Sequence, residues 1–217
     1  LTPSHFWRGH GGIIRSVSLY STPACYIQNV KAVKEADGLR MKAEVVNSTA
    51  TVQTVSLKHI CPENGLVGEN TITVQPMSSA ISEVLFPLDS FELWEQDAPS
   101  LYTCQTVLTA GDAADAYMIS FGVRDICAKE EKIYLNGKEV CLRGFNRHED
   151  SPRNMLATDL ENAKRDFRIM KEMGANFIRL CHYPHSEEEL DICDQLGLLV
   201  LDEIALCAPM VGIKEYD

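Results

Sequence analysis

Three short stretches of this 217-residue chain gather side chains that move protons or hold polar ligands: His148-Glu149-Asp150, Arg179 with His182-Tyr183-Pro184, and Asp202-Glu203. Each follows a short apolar run. A histidine directly after a buried strand and beside an arginine reads as functional rather than structural, so His182 is a candidate ligand contact. Arg179 carries a planar fork of donors suited to orienting acids by bidentate hydrogen bonds, a role that can be wholly structural. Asp202 and Glu203 are adjacent, and neighbours on a strand point to opposite faces, so the two cannot both aim at one ligand. They are expected to act as scaffold, paired with Arg179 or His182. Glu149 and Asp150 fail the same test if extended.

The elements needed to place these groups can be read from local grammar. Thr158-Asp159-Leu160-Glu161 and Ser186-Glu187-Glu188-Glu189 have the spacing of capping boxes, which satisfy the first free amides of a helix. Leu160, Ala163, Phe167 and Met170 form one apolar stripe and Leu190, Cys193 and Leu196 another, each closed by a glycine, Gly174 and Gly197. Residues 176–180 and 198–201 are apolar runs of strand length, as expected when both faces are covered. The region 140–203 therefore reads β-α-β-α-β, one section of a parallel βα barrel, and such barrels keep their sites at the strand ends.

Upstream the grammar differs. Candidate strands at 26–33, 39–46, 52–60, 71–74, 80–86, 102–110 and 117–121 suggest an immunoglobulin-like β-sandwich over 24–124, with Trp94 as a core or edge anchor. Asn136-Gly137 is a strong hairpin signal, because a type I′ turn needs two positive φ angles. Its second strand is expected to run on through Arg143-Gly144-Phe145-Asn146. Before residue 24, apolar residues at 13, 17 and 19 alternate with polar ones and read as a lone strand.

A formal net charge of −11 disfavours nucleic acid or an anionic membrane as partner. No apolar run approaches the ~18–20 residues of a membrane span. The eight cysteines are scattered, with no Cys-x-x-Cys pair; they read as small buried hydrophobes of a reduced protein, so a cytoplasmic location is expected. The absence of an initiator Met suggests a piece of something longer.

The combination of Gly144-Phe145-Asn146-Arg147-His148-Glu149, Asn176-x-x-Arg179-x-x-His182-Tyr183-Pro184 and Asp194-x-x-Gly197 ahead of Glu203 closely resembles glycoside hydrolase family 2. Gly11-Gly12-Ile13-Ile14-Arg15, and Trp94 through Pro99-Ser100-Leu101-Tyr102, resemble that family's jelly-roll exit and its immunoglobulin-like domain. The resemblance implies a β-plus-α/β fold: residues 1–23 as the last strand of a jelly-roll sugar-binding domain, 24–124 as the sandwich, and 125–217 as the first part of a (β/α)8 TIM barrel. Two positions depart from it, Leu180 where a small residue is usual and Glu189 where an apolar one is.

The resemblance further implies a retaining β-glycosidase, with a β-galactosidase preferred over a β-glucuronidase. It makes His148, Arg179 and His182 substrate-binding residues, Asp202 and Glu203 site scaffold, and places both catalytic glutamates beyond residue 217. Tyr183-Pro184 shapes the loop, an unusual peptide bond being one way to do so. The family's Glu-x-His magnesium element has no counterpart in 204–210, so no metal and no cofactor are expected. The expected partners are a carbohydrate substrate and further copies of the chain, since an open barrel edge invites self-association. The competing reading is a non-catalytic carbohydrate-binding module on the sandwich; the lack of an aromatic platform, with only Trp7 and Trp94 available, weighs against it.

Overall fold

The computed structural model describes residues 12–157 and 159–204. They form two compact units, Leu19–Val140 and a unit joining residues up to Ser18 with those from Cys141 onward.

In the first unit, β1 (Cys25–Glu35), β2 (Gly38–Asn47) and β5 (Ser78–Phe86) form one sheet, ordered β1-β2-β5. Strands β3 (Gln53–Cys61), β4 (Leu66–Val74), β6 (Tyr102–Ala110) and β7 (Ala113–Phe121) form the other, ordered β4-β3-β6-β7. All pairings are antiparallel. Period-2 alternation buries Leu39, Met41, Ala43 and Val45 from one sheet and Val55, Leu57 and Cys61 from the other into a common core. All seven expected strands are present. The strand expected at 71–74 begins earlier, at Leu66. Gly68, inside that strand, lies where Val84 and the Phe86 ring leave no room for a Cβ.

Trp94 is fully buried. Its backbone N–H donates to Val123 O at 2.8 Å, and the Arg124 guanidinium sits 4.6 Å from its ring centroid. Asn136 donates from Nδ2 to Trp94 O and accepts at Oδ1 from the Asp125 N–H, both at 2.9 Å. The Asn136-Gly137 turn, with φ of 51° and 80°, is thereby fixed beside the tryptophan. It joins two strands of a small antiparallel sheet, β8 (Ile126–Lys129), β9 (Lys132–Leu135) and β10 (Lys138–Val140). The chain thus changes sequence pattern at 125 but changes packing unit only at 141. Strand β8 was not expected from sequence, because its turn uses Glu130 and Glu131 at φ of 50° and 61°, positions usually given to Asn and Gly.

The second unit carries a parallel sheet of β11 (Gly144–Arg147), β12 (Phe177–Leu180) and β13 (Leu199–Leu201), in that order. Helices α1 (Leu160–Glu172) and α2 (Glu187–Leu196) make the two crossovers. Ala163 and Phe167 of α1, Ile178 and Leu180 of β12, and Ile192 and Cys193 of α2 form its core. Asp159 caps α1, its carboxylate accepting from Asn162 N–H; Thr158 lies outside the described residues. Ser186 caps α2 by accepting from Glu189 N–H, and Gly197 ends it in the left-handed conformation at φ 70°.

Two expectations are corrected. The hairpin strand does not run on from 140: β10 and β11 are separate strands in separate sheets. Residues 13–20 form no strand, since an alternating segment needs a hydrogen-bonded neighbour and none pairs with it among the described residues. Gly11 is outside the described residues. No described helix is long and apolar enough to cross a membrane.

Gly144 pairs with Phe177 across the ladder, and a Cβ there would overlap the Phe177 carbonyl. Gly144→Ala is expected to destabilise the α/β unit by about 2–3 kcal/mol. Urea unfolding followed by circular dichroism at 222 nm checks this; an unchanged midpoint would show that the strand pair tolerates the methyl group.

Candidate active site

Register decides which way the strand-end side chains face. Asn146 pairs with Arg179 and Arg179 with Leu201, while Arg147 pairs with Leu180. Alternation puts Asn146, Arg179 and Leu201 on one face of the sheet and Arg147, Ile178 and Leu180 on the helix-covered face. The two arginines therefore have different surroundings and different work.

On the open face, Arg179 Nε donates to Glu203 Oε1 at 2.7 Å. Its Nη2 lies 2.9 Å from His182 Nδ1, which in turn lies 3.1 Å from Glu203 Oε2. Nδ1 either accepts from Arg179 or donates to Glu203. Which it does fixes whether the other ring nitrogen, Nε2, is a donor or an acceptor. Desolvation pushes the Glu203 carboxyl up, but hydrogen bonds and charge from Arg179 and His182 outweigh it and hold the group below its ordinary range.

The His148 ring stands edge-on to His182, with centroids 5.4 Å apart, and its Nδ1 is 3.5 Å from the Tyr183 hydroxyl. Burial pulls the His148 pKa below the usual imidazole value, with the charge on Asp150 opposing. Burial therefore favours the neutral imidazole. The Cys181–His182 peptide bond is cis. His148, Arg179, His182 and Glu203 thus converge. Asp202 does not join Arg179 or His182; among the described contacts it accepts from the His185 N–H at 3.3 Å and steadies the loop before α2.

The residues missed by sequence reasoning lie on the helix side. Arg147 is buried, its Nη1 donating to both Glu189 oxygens at 2.8 and 2.9 Å, with its guanidinium over the Phe167 ring. His185 Nδ1 lies 2.8 Å from Glu189 Oε2. The capping box is consequently incomplete. Glu189 supplies its N–H to Ser186 but gives its carboxylate to Arg147, and the Ser186 N–H turns to Glu149 Oε1 at 3.1 Å. Glu149 is closed from its other side by Arg15, whose Nη2 is 3.0 Å from both oxygens. The signal in the sequence was Glu189 itself, an acid where the family resemblance makes an apolar residue usual.

Glu149 and Glu189 offer oxygens within 4.8 Å of one another and of His185. That spacing approaches the roughly 5–5.5 Å of a retaining pair, yet both acids are buried and each is already paired with an arginine. They are structural. Magnesium fits neither this group nor the neighbouring His148, Cys181 and His182 set, since it takes oxygen ligands and usually retains water.

Desolvation raises the Glu189 carboxyl, but His185 and Arg147 more than reverse this and leave it below its ordinary range. A carboxyl depressed in the folded state contributes stability above its unfolded pKa of about 4.3, and that contribution fades as pH falls through the folded value. Below about pH 4 the α/β unit is therefore expected to lose stability faster than a Glu189→Gln variant. Glu189→Leu strands a buried guanidinium and is expected to cost about 3 kcal/mol, much of it recovered in Arg147→Met/Glu189→Leu. Urea midpoints at pH 7 and at about pH 3 test both; equal costs for the single and double variants would mean the pair is not coupled.

The sequence model described as "Glycosyl hydrolases family 2" matches residues 25–124, and that described as "Glycosyl hydrolases family 2, TIM barrel domain" matches 126–213. A β-glucuronidase of Pongo abelii is 30% identical over 213 residues, covering 94% of this chain and 31% of that protein. A β-galactosidase of Thermoanaerobacterium thermosulfurigenes is also 30% identical, over 90% of this chain and 29% of that one. The crystal structure of a β-galacturonidase from Eisenbergiella tayi, bound to galacturonate, superposes with a TM-score of 0.76 at 28% identity, over 84% of this chain and 34% of that one. The chain spans about a third of the length of these relatives. With the two matches running in order from the sandwich into the barrel strands, the chain belongs to glycosyl hydrolases family 2.

Proposed function

We propose that this chain supplies the sugar-binding wall of a retaining β-glycosidase acting on terminal β-linked sugars. The observation that carries the reading is the convergence of His148, Arg179 and His182 with Glu203 on the open face of three parallel strands. His148 and His182 contact sugar hydroxyls, and Glu203 with Arg179 keeps His182 in place. A neutral His148 suits an uncharged hydroxyl, since no ion is stripped of water when the sugar arrives.

The preference for a galactosidase drawn from Asn146 to Glu149 is not supported over a glucuronidase, because relatives of both names match at equal identity. The substrate class is a β-glucuronide or β-galactoside.

Hydrolysis of this type requires a general acid and a carboxylate nucleophile. Glu149 and Glu189 are closed by arginines, Asp202 holds a backbone amide and Glu203 is committed to Arg179. These commitments support the reading that the reacting carboxylates lie outside this sequence, and the 217-residue chain by itself is expected to be inactive. Chromogenic β-glucuronide and β-galactoside substrates test this, with a sizing run for self-association along the second edge of β13. Turnover that scales with protein and survives repurification would show that the catalytic pair is within the chain. In a longer protein containing this chain, His182→Ala is expected to lower kcat roughly 10²-fold with a smaller effect on KM, because the hydrogen bond strengthens as charge develops at the anomeric carbon. Unchanged kcat would remove His182 from the mechanism.

A further inference from the structure

Four buried positions in the sandwich carry reactive or polar groups that the glycosidase reading does not use. His59 and Cys61 lie on β3, Cys104 and Thr106 on β6, and each is 0% exposed. The ladder pairs His59 with Thr106 and ends at Ile60 with Gln105; continued by one residue, the same register would set Cys61 opposite Cys104. Residues two apart on a strand share a face, so the four side chains form a two-by-two patch on the inner face of the sheet.

The patch is held by its own contacts. His59 Nδ1 lies 2.9 Å from Thr106 Oγ1, and Cys104 Sγ lies 4.0 Å from the same hydroxyl. His59 Nε2 is buried with no hydrogen-bond partner, so the patch is not simply apolar filling.

Directly opposed residues of an antiparallel pair have Cα atoms about 4.5–5.5 Å apart, inside the roughly 4.4–6.8 Å that a disulfide spans. Other described cysteines on the ladders face different residues: Cys25 faces Asn47 and Cys127 faces Tyr134. We propose that Cys61 and Cys104 are a disulfide-forming pair, closed by a small-molecule disulfide such as oxidised glutathione, that staples the two central strands of the four-stranded sheet.

Cys104 is the attacking sulfur. The neighbouring Cys61, with His59 and Thr106, holds the Cys104 thiol down against the opposing effect of burial, while Cys61 is pushed up. The Cys104 thiolate attacks one sulfur of the oxidant; that S–S bond breaks, and the departing thiolate takes up a proton. Cys61 then attacks Cys104 Sγ in the mixed disulfide, forming the protein S–S bond and expelling a second thiolate, which takes the Cys61 proton. One protein dithiol and one small disulfide give one protein disulfide and two small thiols. Access needs only the sheet end to open. Cys61 is the last residue of β3, and the turn beyond it is clasped by Glu63, whose Oε1 accepts from the Thr103 N–H and hydroxyl at 3.0 and 2.7 Å.

The test uses the 217-residue chain incubated with oxidised glutathione, unfolded and alkylated, then mapped by peptide mass. The expected result is a cross-linked peptide joining Cys61 to Cys104, with a melting temperature raised by roughly 10 °C, because a loop of about 40 residues is closed. Dithiothreitol should reverse both. Repeating the experiment with Cys127→Ser/Cys141→Ser removes the two exposed thiols among the described cysteines and should leave the cross-link in place. Full alkylation of Cys61 and Cys104 after oxidation, or cross-links confined to other cysteines, overturns the proposal. Cys61→Ala should lose the oxidant-dependent shift; if that variant does not fold, the map of the unsubstituted chain still decides.

Discussion

The buried ion pair between Arg147 and Glu189 is the constraint on which the α/β unit depends. Both side chains are about 5% exposed, so neither charge is solvated by water and each must be satisfied by the other. Arg147 is the last residue of β11 and Glu189 lies in the first turn of α2, where the helix dipole also favours a negative charge. The pair locks a strand end to a helix start 42 residues away. Arg147 acts through its backbone too: its carbonyl accepts from Cys181 N–H at 3.1 Å and from Cys181 Sγ at 3.4 Å. Because His148 follows Arg147 and His182 follows Cys181, the positions of both candidate sugar contacts derive from this one residue. A buried pair of this kind is weak evidence for extra stability over well-packed apolar side chains. Its value here is registry.

The acids around the strand ends divide into those that build and those that face the ligand side. Glu149 and Glu189 each neutralise an arginine, and Asp202 receives a backbone amide. Glu203 is the acid that reaches the open face, and it is held there by Arg179 and His182. With the Glu203 carboxyl depressed and burial lowering the His148 pKa, the proposed wall holds one fixed ion pair beside two histidine rings. A surface of this kind, held by its own hydrogen bonds, would need little reorganisation to bind a ligand.

What was legible in the sequence was whatever local chemistry decides. Ser186 and Gly197 bound α2 because capping involves residues within a turn of each other, and Asn136-Gly137 marked a hairpin because φ preference belongs to the residue itself. The seven sandwich strands were legible for the same reason, as alternation needs only one strand. What failed needed a partner. Residues 13–20 alternate but find no neighbour, and the strand preceding Glu130 is invisible when its turn is made by two glutamates. The role of Glu189 could not be assigned without Arg147, and Asp202 looked equivalent to Glu203 until the loop at His185 claimed it.

Parity explains why two arginines at comparable strand ends part company. Arg147 and Arg179 lie at successive register positions on β11 and β12: Arg147 pairs with Leu180, while Arg179 pairs with Asn146. A shift of one residue in β12 would bring Arg179 under the helices, where Glu189 is already committed to Arg147, and a shift of one residue in β11 would turn Arg147 to the open face. Gly144 resists that shift, since it alone has no Cβ to meet the Phe177 carbonyl that approaches it. The glycine at the start of β11 therefore fixes the register, the register fixes which arginine is buried, and the buried arginine places the histidines.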